Sequence, residues 1–288
     1  MRYIIHLLII CLLSFVILSC KKDEEIVDMN YIIPPDDSMQ ADFSSFNDIK
    51  PATRINLDTT PDKPDIDLPE FACWYIGYNY VLWSNVVCFL PLAIPIAAFK
   101  ALKEQQPTKA STSHAEWSWK GQNNSFLVVA DKKGGEYTWE WSVKINDFEW
   151  ITGGSMEDKT KGWWQFHDPN LTTDKNETIK VEWTKPDAQN ATVKFINNNQ
   201  NDAMKLGDYI EYTVNNTDIT VYFYDMHKDI DTDKNGSISE TERDNGNLFE
   251  AKVFWNTVSK KGGIVIVKED NEGTAVKTGD TCNWDPND

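Results

Sequence analysis

From about Ala115 onward the chain alternates apolar and polar residues with a period of two. No other feature limits the fold so strongly, because that period puts successive side chains on opposite faces of an extended strand. Trp117 and Trp119, then Tyr137, Trp139, Trp141 and Val143, fall on one face; Ser118, Thr138, Glu140, Ser142 and Lys144 fall on the other. Comparable runs lie near 124–132, 147–152, 161–167, 177–184, 191–196, 208–214, 218–225, 249–256 and 263–268. Turn-forming pairs separate them, among them Gly134-Gly135, Asn146-Asp147, Pro186-Asp187, Asn215-Asn216 and Gly262-Gly263. This spacing predicts a mainly β domain over 111–288, an antiparallel up-and-down meander closed as a barrel or folded as a sandwich. Its polar face carries Glu and Lys, so it meets water and not lipid.

Two stretches of different character precede the strands. Residues 68–110 form an apolar segment, with no charged residue between Phe71 and Phe99. Phe71, Trp74, Tyr78, Leu82 and Val86 follow helical spacing, and Pro91 and Pro95 interrupt any helix further on. Asn79, Asn85 and the tyrosines suit a buried helix that plugs or caps the β-structure; a membrane-inserted hairpin is the alternative. Residues 21–67 hold twelve acids, five bases and five prolines, which predicts a solvated, extended tether. Within it, Met39, Ala41 and Phe43 alternate as a short strand would.

Charge and composition narrow the partners. Forty-five acidic against 28 basic residues give a formal charge of −17, which excludes a basic nucleic-acid-binding face. Twelve Trp and 41% apolar residues exclude wholesale disorder. Arg2, the apolar run Tyr3–Leu18 and the ending Ile17-Leu18-Ser19-Cys20 have the layout of an export signal, too short to span a membrane comfortably. Ile17 to Cys20 resembles a bacterial lipobox, and Lys21-Lys22-Asp23-Glu24-Glu25 resembles the charged export signal of Bacteroidetes surface lipoproteins. The resemblance implies a signal peptide over 1–19, with Cys20 acylated as the first mature residue at the head of a tether over 20–67. It also implies anchoring in the outer membrane or at the cell surface, since several acyl chains hold where one does not. Cys73, Cys88 and Cys282 then remain. Three thiols cannot all pair within one chain, and a Cys73–Cys88 bridge and buried free thiols both stay open.

One motif carries defined chemistry. Asp231, Asp233, Asn235, Gly236, Ser237, Ser239 and Glu242 occupy positions 1, 3, 5, 6, 7, 9 and 12 of a twelve-residue loop. Ca²⁺ is a hard ion that takes six to eight oxygens on a flexible ring. Asp231, Asp233 and Asn235 offer side-chain oxygens, Ser237 its carbonyl, Ser239 a bridging water and Glu242 both carboxylate oxygens, while Gly236 allows the sharp turn. The loop resembles an EF-hand calcium loop. The resemblance covers the loop alone: Ile219 to Tyr224 has the pattern of a strand where an entering helix belongs. Asn245-Gly246 ends any exiting helix within two turns, and Arg243 stands where an apolar residue is usual. A lone, unpaired loop points to a structural calcium site and not to a signalling switch.

Other constellations are weaker. His114, His167 and His227 form no zinc motif, and Gly153-Gly154-Ser155-Met156 lacks the second glycine of a nucleophile elbow. In Trp163-Trp164 one indole is expected inside and the other outside. The reading is a lipid-anchored, calcium-binding module of structural or partner-binding role, with no catalytic residues assigned. Its partner is the membrane through the lipid, and protein, glycan or small apolar ligands all stay open. The alternatives are a calcium-supported glycan hydrolase and a barrel holding a small apolar ligand.

Overall fold

The computed structural model describes residues 34, 38, 42–47, 68–89, 102, 105–121, 124–171, 176–201, 206–228, 247–269 and 281–285. Cys20 and the loop 231–242 lie outside them. Among the described residues the chain forms two helices, α1 (Ser44–Asn47) and α2 (Leu68–Phe89), followed by thirteen strands. The strands are β1 (Lys109–Ser111), β2 (His114–Lys120), β3 (Ser125–Lys132), β4 (Trp139–Ile145), β5 (Phe148–Ser155), β6 (Lys161–His167) and β7 (Glu177–Thr184). They continue with β8 (Asn190–Asn197), β9 (Tyr209–Asn215), β10 (Asp218–Lys228), β11 (Asn247–Asn256), β12 (Gly262–Glu269) and β13 (Thr281–Trp284).

All thirteen make a single antiparallel sheet in which spatial order equals sequence order. The expected meander is therefore present, but the sheet is open, with β1 and β13 as its edges and no closure into a barrel. Turn chemistry sets the register. Asn146 and Asp147 both take positive φ, 51° and 64°, as a two-residue hairpin requires, and they join Ile145 to Phe148 as direct partners. β1 and β13 were not anticipated, because three and four residues are too few to show a period. β1 also places the start of the sheet at Lys109, inside the stretch assigned to the apolar segment.

One face of the sheet is apolar and covered. Trp117, Val128, Trp141, Trp164, Val181, Val221, Phe223 and Trp255 are all buried on it. Part of the cover is α2, which turns Cys73, Trp74, Gly77, Val81 and Ser84 inward and packs on β11, β12 and β13. Ring contacts reach β10 as well, Tyr80 lying 5.4 Å from Phe223. The helix is thus buried along one side, as expected, although its inner stripe differs from the predicted one: Leu82 points out, together with Tyr75, Ile76 and Trp83. No helix of the described residues is long and apolar enough to cross a membrane.

More of the cover comes from the supposed tether, besides Leu102 after α2. Ser38, Phe43 and Phe46 are buried, and Phe46 sits among Trp74, Trp255 and Trp284 at ring distances of 4.9–6.1 Å. Buried indole and phenol groups need acceptors. Four of these groups find one in segments outside the sheet: before α2, Trp164 Nε1 donates to Ser38 Oγ, Tyr212 Oη to the Asp42 carbonyl and Trp255 Nε1 to Ser45 Oγ, and after it Trp117 Nε1 donates to the Gln105 carbonyl. Ser38, Phe43 and Phe46 therefore belong to the core and not to a solvated stalk. Phe43 is also in no strand; Asp42 Oδ1 accepts from the Ser44 amide and starts α1 immediately after it, while Met39 and Ala41 lie outside the described residues.

The remaining fastener is covalent. Cys73 of α2 is bridged to Cys282 of β13, with Cα atoms 5.6 Å apart. This pairing resolves the question left open by the three cysteines, and the Cys73–Cys88 alternative is excluded by it.

Candidate calcium loop and its setting

The oxygen-rich loop is the long connection of a hairpin. β10 and β11 pair from Asp218↔Asn256 to Lys228↔Asn247, with a register shift between Phe223 and Met226. Residues 229–246 leave and re-enter at that last pair. Two residues separate Lys228 from Asp231, and four separate Glu242 from Asn247. The described elements on both sides are strands, in agreement with the pattern of Ile219 to Tyr224. Asp231, Asp233, Asn235, Ser237 and Glu242 themselves are outside the described residues. Their donor set is all oxygen, with three carboxylates, which suits a hard divalent cation and not a soft one. Among the described residues no group of three or more His, Cys, Asp or Glu side chains could hold a metal.

Close to the loop, the water-facing side of β8–β11 carries an aromatic cluster that the sequence reading did not pick out. Tyr209 and Tyr224 are cross-strand partners and stack at 4.6 Å, with planes 15° apart. Lys194 of β8 places its Nζ 3.5 Å from the Tyr209 ring centroid. Tyr222 Oη donates to Glu250 Oε2 at 3.0 Å. Burial first, then that hydrogen bond and the charge of Glu250, push the Tyr222 hydroxyl up to about 12. The signal in the sequence was the i, i+2 spacing of Tyr222 and Tyr224 opposite Val221 and Phe223. What was not visible was which strands would lie beside them.

The other singled-out residues have structural settings. Trp164 is buried and Trp163 lies half-buried on the opposite face, near Tyr137 at 6.5 Å, as alternation predicts. Ser155 is only 1% exposed beneath the Trp141 indole, so it presents no nucleophile to solvent. His114 Nδ1 is 2.7 Å from Asp131 Oδ1, and His167 lies between Thr152 and Asn176. The side chain of His227 is outside the description.

No protein-family model matches the chain, no curated protein is significantly similar to it, and no solved structure matches it.

Proposed function

We propose that the chain is an exported, lipid-anchored β-sheet protein that binds Ca²⁺ through residues 231–242, as a binding or structural module and not as an enzyme. One observation carries this reading. A loop with oxygen donors at positions 1, 3, 5, 7 and 12 is slung between two paired strands whose ends meet at Lys228 and Asn247. Seven acids against three bases over 225–244 make the connection self-repelling without a cation. Bound Ca²⁺ removes that repulsion and fastens the far end of the β10–β11 hairpin. Strands on both sides replace the helix pair that would convert binding into a large opening motion, which favours a fixed site over a switch. The Cys73–Cys282 bridge supports the exported half of the reading, since disulfides persist in oxidising compartments.

Calcium binding is tested by thermal unfolding in millimolar Ca²⁺ and in chelator. With free Ca²⁺ about tenfold above Kd, mass action adds about 1.4 kcal/mol. For a domain of this size that raises Tm by about 3–5 °C. Asp231→Ala is expected to abolish the difference. Identical wild-type curves, with no heat of binding at millimolar Ca²⁺, would refute the assignment.

A further inference from the structure

The hairpin that ends in the calcium loop has a second feature at its opposite end, roughly 30 Å away by strand rise. There the ends of β10–β13 line a depression of about 580 Å³, within the size range of small-molecule sites, with Thr220, Lys252, Phe254 and Asn283 from the water-facing side and Ile219, Trp255 and Trp284 from the covered side. Strand register builds its floor. Thr220 pairs with Phe254, Phe254 with Gly263 and Gly263 with Asn283, so the four residues form one row across four strands. At Gly263 a Cβ would meet the Phe254 ring and the Asn283 carboxamide, so those two groups lie over the glycine side by side. The result is an aromatic surface flanked by an amide and a hydroxyl.

The charges around this row cancel. Asp218 and Asp285 stand against Lys252 and Lys261 on a protein of formal charge −17. Lys261 is paired with Asp285, and Asp218 Oδ1 accepts from Asn256 Nδ2 at 2.7 Å. Lys252 is exposed and makes no ion pair among the described residues. A balanced set does not select a charged ligand. It offers donors and acceptors together, next to a flat apolar surface with a positive edge and a negative face.

We infer that this depression binds a neutral saccharide, one pyranose ring laying its C–H face on Phe254 while its hydroxyls bond to Lys252, Asn283 and Thr220. A pyranose is the ligand class that needs both halves of the site, because its rim is all hydroxyl and its face is largely C–H. One stacked ring and a few solvent-competed hydrogen bonds give an affinity on the order of 10⁻³ M. The site is independent of the calcium loop, and its test leaves that proposal untouched.

The test is saturation-transfer NMR on the purified full chain, in chelator, with maltotriose, cellotriose, xylotriose and mannotriose at millimolar concentration. At least one trisaccharide is expected to receive transfer, strongest at the protons of a single ring face. Phe254→Ala is expected to weaken binding by about tenfold or more, and Phe254→Trp to retain it. Lys252→Ala and Asn283→Ala, both at exposed positions, carry the test if Phe254→Ala fails to fold, and each is expected to weaken binding measurably. Absence of transfer to all four sugars would overturn the inference, as would binding unchanged in Lys252→Ala and Asn283→Ala. Competition by inorganic sulfate that depends on Lys252 but not on Phe254 would also overturn it, marking an anion site instead.

Discussion

The smallest structural decision in this molecule is a repeated pairing of glycine with tryptophan across neighbouring strands. Gly153 faces Trp164, Gly162 faces Trp183 and Gly262 faces Trp284, each a direct register partner on the covered side. In each pair a Cβ on the glycine would run into the indole; at Gly162 the Trp183 Cζ2 atom is 2.5 Å from that position. The bare backbone is therefore the surface on which the ring lies. Gly153→Ala is expected to destabilise the fold by about 1–3 kcal/mol, read as a lower urea midpoint, because Trp164 is enclosed and cannot swing aside. A second residue-level expectation concerns alkaline pH. The folded state holds the Tyr222 proton more tightly than the unfolded chain, whose tyrosines titrate near 10. Stability from this group is complete below about pH 10 and lost as pH rises through about 12. Burial pushes Tyr212 in the same direction. Tyr222→Phe is expected to lose less stability between about pH 9 and about pH 11.5 than the wild type, and an equal loss would contradict the assignment. Alternation along each strand was legible in the sequence, since it is a local property. The glycine–tryptophan pairs were not, because their partners are set by register.

At the scale of elements, eleven of the thirteen strands came through to within about three residues and the leading segments did not. β6 and β7 have the bounds that alternation predicts, 161–167 and 177–184, because turn residues close both ends. The helical stripe slipped because apolar residues surround α2, so spacing alone could not choose between Leu82 and Val81. Acid and proline content made the stretch before α2 look like a stalk, with only a short strand at Met39, Ala41 and Phe43 set apart from it. Composition averages over a window and misses Phe46, which with Phe43 contributes two buried rings to the core. Phe46→Ala is expected to cost about 3–5 kcal/mol in chemical denaturation, the loss for an enclosed aromatic. A stalk residue would give a change within about 0.5 kcal/mol. For the candidate site, the donor pattern of Asp231 to Glu242 was readable because the ligands are contiguous. The row Thr220, Phe254, Gly263 and Asn283 is spread over sixty-four positions and has no sequence signature.

At the scale of the whole molecule, the acidic surplus is unevenly spread. Residues 21–67 hold a net −7 and residues 225–244 a net −4. In sequence, the first group surrounds the stretch that ends in the core, and the second surrounds the proposed calcium loop. Attachment is tested at the same scale: Cys20→Ser is expected to abolish metabolic labelling with a fatty acid and to release the chain from the membrane fraction. Continued labelling of that variant would contradict the lipobox reading. The edges of the open sheet are short, three residues in β1 and four in β13, and short edges limit strand addition from another copy.

The Cys73–Cys282 bridge closes a ring that contains every residue of β1 to β12. A pull applied to the two chain ends passes from α2 through sulfur to β13 and leaves the other strands unloaded. Under tension only the 53 residues from Cys20 to Ala72 and the six after Cys282 can be paid out, each by about 3.5 Å. A protein held to a membrane by its N-terminus and tugged from outside would so act as a leash of fixed length, until its disulfide is reduced.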